Sequence, residues 1–469
     1  MTHIEQYYNN DRTTITFDYN FNSSLEHIKF ADTVTSIIFG RNFNQSLDTT
    51  ILPTNLTSIF FGRDFNKPLN NVIFPLNINT IEFEGAFNQS LDKVILPTNL
   101  TSLIFGRDFN QRLDNTKLPD SITIITFGGN YNKSLDAVKL PNNLHTLNFG
   151  CNFDKSLDDT KFPINLHTII FGDVFNQPLD NIKVPNNFKT VIFGFAFNQS
   201  LDNVAFPINM ESITLGSNFN QSLDKVNLPT NLQNLILGYF FDQPLDKTVL
   251  PKNLQSVTFG CRYNQPLDKI VFPENLHTIA FNIGGIYNKS INNITLPPNL
   301  TSLTLGHNFN QSIKSVKFPA SLQSLTFGYG FNKSIYILKD LPNLKLLSLG
   351  FSFNKSLKYL PSTIEHLYIE SNDKDIHILS KIPAPITNIY YIYNELNIDT
   401  AIDNLPNIIT EIIVKCVLSD TQKILTNLPS SVKKIKLTLA KNIIISKITK
   451  IPYGCKVYDE YDNEMTPQP

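Results

Sequence analysis

Residues 43–64 read FNQSLDTTILPTNLTSIFFGRD, and residues 65–86 read FNKPLNNVIFPLNINTIEFEGA. Counting the aromatic of each Phe-Asn pair as position 0, both segments carry Asn at 1, Leu at 4 and Pro at 10, with large apolar residues at 13, 16 and 18. The anchors Phe21, Phe43, Phe65, Phe87, Phe109, Tyr131, Phe153, Phe175, Phe197, Phe219, Phe241 and Tyr263 follow one another at steps of 22 residues. A step of 24 then reaches Tyr287, and steps of 22 reach Phe309, Phe331 and Phe353. The two additional residues fall in FNIGGIYNK, where Gly284-Gly285 suits a surface bulge.

A fixed period of this length is the mark of a repeat architecture. Each unit holds one apolar-x-x-apolar-x-apolar strand at about positions 14 to 18, as in TSIFF, which fits a leucine-rich-repeat coil. The return segment, such as QSLDTTILP, is too short and too β-branched for a helix and reads as extended or turn-like. Pro at 10 blocks a helix from running into the strand. One coil cannot bury its own apolar face, so coils must stack and equivalent residues must form columns. The aromatic at 0 and the apolar set at 4, 9, 13, 16 and 18 then fill the interior. The Asn column (Asn44, Asn66, Asn88, Asn110, Asn132, Asn176, Asn198, Asn220) sits inside, bonding backbone groups that the strands do not reach, with Asp154 and Asp242 as exceptions. Gly at 19 bends the chain. The expectation is a mainly β protein with few helices: a right-handed leucine-rich-repeat-like solenoid of about twenty coils of about 22 residues, with a parallel concave sheet.

These units resemble FNIP repeats, a leucine-rich-repeat relative known mainly from social amoebae and amoeba-infecting giant viruses. The resemblance runs over Phe21 to Asn354. The third residue here is usually Gln or Lys rather than Ile, and the fourth is Pro only at Pro68, Pro178, Pro244 and Pro266. Family members often join the repeats to an F-box or another module, and no such module is legible in this chain. The reading divides the chain into a capping strand at 1–20 (TTITF at 13–17), FNIP-like repeats at 21–353, a diverged continuation at 354–459 and a loose tail at 460–469. The continuation rests on LPSTIEHLYI and its successors, which begin at Pro361, Pro383, Pro406, Pro429 and Pro452 with apolar residues 3, 6 and 8 places on. Ser419 and Gln422 in SDTQKILTNLP have capping-box spacing and point to one helical return segment.

Composition limits the function. The 469 residues are 41% hydrophobic and 17% charged with a net charge of -1, against the basic excess of a general nucleic-acid binder. No stretch is long and apolar enough to span a bilayer, and MTHIEQYYNNDRTTITF lacks the pattern of a signal peptide. Asn-x-Ser/Thr sequons recur at the Asn placed inside, which fits a compartment without N-glycosylation. The expected setting is cytoplasmic: host cytoplasm, or the virion if the protein is viral. Cys151, Cys261, Cys416 and Cys455 show neither disulfide nor zinc spacing.

No catalytic set stands out, so the chain is read as non-enzymatic, without cofactor or metal. Position 5 is Asp in nine consecutive units, from Asp92 to Asp268, and at ~5 Å neighbours repel by roughly 0.8 kcal/mol each in water. A carboxylate accepting turn amides of its own coil explains them best. His145, His167 and His277 fall at position 14 and read as solvated. What varies is position 20, expected to face outward with position 17. It carries Arg41, Arg63 and Arg107 early and Phe195, Tyr239, Tyr329 and Phe351 late. Arg and aromatics are the usual anchors of interfaces. The expected function is a monomeric scaffold binding a protein partner through the concave face; the alternative is a structural or packaged virion component without a discrete ligand.

Overall fold

The computed structural model describes residues 4–371, 386, 388–393, 402–403, 407, 409–414, 425–437 and 451–465. The chain forms two compact units, Met1–Gly238 and Tyr239–Pro469. Their boundary falls inside the regular repeats rather than near residue 353.

In the first unit, strands recur once per coil, from Thr14–Thr16 and Ser36–Ile38 through to Asn234–Ile236. Each pairs in parallel with the next, one period on: Ile15 faces Ile37, Ile37 faces Ile59, and Ile213 faces Leu235. The second unit repeats the pattern from Ser256–Phe259 to Lys456–Tyr458 among its described residues. The strands of the regular coils are shorter than the sequence suggests, three or four residues starting at position 15. Position 14 stays outside because its carbonyl accepts two amides of the next coil, as Thr35 does from Thr57 and Ser58. The fold is therefore a parallel β-solenoid of leucine-rich-repeat type, and the helices among the described residues are the short 3-10 turns Glu5–Tyr7 and Tyr336–Asp340. Ser419 and Gln422 lie outside the described residues, and Leu425–Asn427 of the same run is strand, paired with Ile402–Asp403.

Three tight turns shape a coil. The amide of Thr50 reaches the Leu47 carbonyl, that of Leu56 the Pro53 carbonyl, and that of Phe65 the Gly62 carbonyl. Pro at 10 thus opens a corner as well as barring a helix. The core is a double column of rings. Phe39 stacks on Phe43 at 4.0 Å and Phe193 on Phe197 at 4.0 Å, while Phe43 and Phe65 stand 6.0 Å apart in neighbouring coils. Position 4 is buried beside them, as at Leu47 and Leu201.

Glycine at 19 does something other than bending. Positive φ among the glycines occurs at Gly284, in the two-residue insertion, and at Gly454. In the column itself the constraint is contact: a Cβ on Gly62 would lie 2.1 Å from the Gly40 carbonyl oxygen, and one on Gly172 would lie 1.9 Å from that of Gly150.

The Asn column is a ladder between coils. The backbone amide of Asn66 donates to Asn44 Oδ1, that of Asn88 to Asn66 Oδ1, and that of Asn110 to Asn88 Oδ1, each at 2.9 Å. The same oxygen often takes a second bond from Gln at position 2 of the next coil, as Gln89 Nε2 gives Asn66 Oδ1. These side chains are half-buried for the most part. Only the acceptor is needed, so Asp serves equally: Asp154 Oδ1 accepts from the Asn176 amide and from Gln177 Nε2, both at 2.9 Å. Asn198 accepts from the Asn220 amide and from Gln221. Asn198→Ala should therefore cost about 1–3 kcal/mol, because a backbone amide loses its partner. Asn198→Asp should keep most of the stability. Denaturant melts of the two variants check this, and equal losses would mean that the amide nitrogen matters as much as the oxygen.

The first and the last described strands of the stack each carry a short antiparallel addition. Tyr8 bridges Ile15 antiparallel, and the Tyr7 ring packs against Phe17 and Phe21 at 5.1 and 5.4 Å, closing the ring column. Of the tail expected at 460–469, residues 466–469 lie outside the described residues, while 460–465 form part of a hairpin. Glu464–Met465 folds back antiparallel on Val457–Tyr458, and the Asp459 carboxylate holds the turn by accepting the amides of Tyr461 and Asn463 at 2.9 Å. A short buried acid nucleates a hairpin there.

Candidate interaction surface

The position-20 residues sit one step beyond the strand, in the turn between the position-19 glycine and the next ring. Their backbone is nonetheless laddered from coil to coil: the Asp64 amide donates to the Arg41 carbonyl, Asn130 to Arg107, Asn218 to Phe195 and Ser352 to Tyr329. Side chains there project from a fixed frame.

Within the first unit, Arg63 and Arg107 are exposed and Phe195 is 53% exposed. Arg41 is half-buried, its guanidinium donating to the Tyr19 hydroxyl and lying over that ring. Gly129, Cys151 and Asp173 occupy the intervening turns, so Phe195 is not brought together with the arginines. In the second unit, Tyr239 packs edge-on against Phe240 at 4.8 Å. Tyr329 and Phe351 stack at 4.7 Å and 5°, and His307 lies 6.1 Å from Tyr329. The late aromatics thus form one short ring stack together with the separate Tyr239–Phe240 pair.

The sheet face of the regular coils is mostly small and polar at position 15 and half-buried at 17, where Ile38 adjoins Phe60 and Ile170 adjoins Ile192, while Ile104 lies between Glu82 and Thr126. At position 14, His145 and His167 stack at 5.1 Å, and Lys189 pairs with Glu211 at 2.9 Å. Burial and then the neighbouring His145 and Lys189 hold the His167 imidazole below its ordinary range, against the pull of Glu211.

A second group, on the strands of the diverged coils, escaped the sequence reading. Tyr368 and Tyr390 stack at 4.3 Å, and the Tyr390 hydroxyl lies 3.0 Å from His366 Nδ1. Lys434 reaches Asp462 at 3.0 Å and Glu411 at 3.7 Å, and Lys436 reaches Asp462 at 2.8 Å. Burial raises the Glu411 carboxyl although Lys434 opposes it, while Asp462, exposed and held by both lysines, is lowered. The Lys434 ammonium is raised chiefly by Asp462, its closer partner. Burial, then Tyr368 and Glu411, push the Tyr390 phenol up to about 12, so it remains a donor at neutral pH. The signal was available for all but Asp462: the others fall five or seven places after Pro361, Pro383, Pro406 and Pro429.

The Asp column differs from its expectation. The turn amide goes to a serine two residues earlier: Asp92 to Ser90 Oγ, Asp136 to Ser134 Oγ, Asp202 to Ser200 Oγ. The carboxylates of Asp92 and Asp136 instead accept a Thr hydroxyl from the next coil, Thr116 and Thr160. Also missed was a second Asn column at position 12, where Asn55 Nδ2 donates to the Asp32 carbonyl and Asn77 Nδ2 to that of Thr54. Cys151, Cys261 and Cys455 are free thiols. Among the described residues no group of three or more His, Cys, Asp or Glu is placed to hold a metal ion, and no helix is long and apolar enough to cross a membrane.

The model of the FNIP repeat matches residues 21–64, 43–86, 65–108, 87–127, 109–152, 153–196, 197–240, 241–284 and 287–330. No curated protein matches the sequence. Among solved structures, the giant-virus protein CroV588, described as a novel circular leucine-rich-repeat structure, is 30% identical over 96% of this chain and 69% of its own, with a TM-score of 0.75. A chain of the Drosophila Toll–Spatzle complex is 12% identical over 93% of this chain and 62% of its own, with a TM-score of 0.53, a likeness of fold alone. With the repeat matched over more than half its length, the chain belongs to the FNIP repeat family.

Proposed function

We propose that the protein is a non-catalytic scaffold that binds a protein partner along the strand face and the turns that border it. The observation that carries this reading is the Tyr329–Phe351 stack, aromatic surface with Tyr329 44% exposed, on turns whose backbone is already ordered. Rings held this way lose little entropy on binding, and aromatics supply the largest share of interface energy. Tyr368 and Tyr390 form a second aromatic stack on the strands of the same unit. The early arginines Arg63 and Arg107 suit an acidic part of a partner. Host cytoplasm or virion is the proposed setting.

The test is affinity capture of the whole chain from its native cell or virus, against a Tyr329→Ser/Phe351→Ser variant. A discrete protein retained by the first and lost by the second, with the melting temperature nearly unchanged, supports the reading. Equal retention by both would rule out this surface, and stoichiometric presence in particles without a retained partner would favour a structural component.

A further inference from the structure

The face opposite the strands carries a column of its own. Position 8 lies in the extended return segment between two buried positions, as Ile51 lies between Thr50 and Leu52. Its side chain must point to solvent. In three successive coils it is nevertheless isoleucine: Ile51, Ile73 and Ile95 are 83%, 85% and 83% exposed. Leu76, 67% exposed, adds to them, and a groove of about 550 Å³ runs beside Ile51, Ile73, Pro75 and Leu76. Nothing inside the coil requires these side chains, since the core is filled by positions 7 and 9. Contiguous apolar surface on the scale of a few hundred Å² marks an interaction site far more often than chance decoration.

The same column changes character in the next four coils, where it reads Lys117, Lys139, Lys161 and Lys183, all exposed. No ion pair engages them among the described residues. Of the acids in the same return segments, Asp114 takes Arg112 and Asp136 takes the Thr160 hydroxyl. Four like charges in line repel one another, and an acidic partner relieves that repulsion.

We infer that the return face of residues 51–183 is a docking site for a segment of a partner protein that is apolar where it meets Ile51, Ile73 and Ile95 and acidic where it meets the four lysines. This surface is separate from the strand face and does not depend on what that face binds.

The probe is a synthetic peptide with leucines in one half and glutamates in the other. Fluorescence anisotropy reads its binding to the full chain. Ile73→Ser/Ile95→Ser and Lys139→Glu/Lys161→Glu should each weaken binding about tenfold or more. A peptide with lysine in place of glutamate should not bind, and Tyr329→Ser/Phe351→Ser should leave binding unchanged. All four changed side chains on this face are exposed, so the melting temperature should hold. Absence of binding by the unmodified chain, indifference to both double variants, or capture of phosphatidylserine vesicles or nucleic acid in place of the peptide would overturn the proposal.

Discussion

Replacing Phe197 with alanine should destabilise the first unit by about 3–5 kcal/mol. The ring has no exposure, stacks on Phe193 at 4.0 Å, and has Phe175 and Phe219 at 6.1 Å on either side. Removing it opens a void that neighbours cannot fill, because coil spacing is set by the strand ladder and by the Asn ladder beside the ring. The transfer cost and the cavity cost are then both felt in full. Phe195, two residues earlier and 53% exposed, is the control. Phe195→Ala should stay within about 0.5 kcal/mol. Denaturant unfolding of both variants checks the contrast. Comparable losses at 195 and 197 would mean that the two rings do not divide between exposed turn and core.

That contrast was legible from the sequence, and the reason is instructive. A repeat shows burial as monotony: position 0 is aromatic in every regular coil, while position 20 varies freely. What monotony does not show is whether a recurring residue serves its own coil or the next one. Asn at 1 and Asn at 12 recur about equally, yet only the first stood out, because it adjoins the aromatic. Asp at 5 recurs beside Ser at 3, and the serine hydroxyl takes the turn amide while the acid reaches across to a threonine. A one-dimensional pattern does not separate those two roles. Tyr131, Tyr263 and Tyr287 read as simple equivalents of Phe, but their hydroxyls are buried without a hydrogen-bond partner, and burial pushes each phenol up. The tail failed for a related reason. Its hairpin depends on one carboxylate, Asp459, and a single turn acid carries no periodic signal. The candidate surface was half legible: the column was found, but its placement on turns, and the Tyr368–Tyr390 stack on the diverged strands, needed three dimensions.

The glycine at 19 carries the second large effect. Gly128→Ala should cost about 3 kcal/mol or more, at the upper end of overpacking. A Cβ there would sit 1.7 Å from the Gly106 carbonyl oxygen and 2.4 Å from its carbon. Both are backbone atoms, so no side chain can swing away, and relief requires the two coils to part locally. Parting them strains the ladder that passes through the adjoining turn, where the Asn130 amide meets the Arg107 carbonyl. Gly284→Ala is the informative comparison. Its φ is 88° with nothing within 4 Å of the added carbon, so only the left-handed backbone is penalised, at about 1 kcal/mol. The two substitutions therefore separate contact from conformation at chemically identical residues. If Gly128→Ala melts no earlier than Gly284→Ala, the coils are not in backbone contact at position 19, and the rigidity ascribed to the position-20 turns loses its cause.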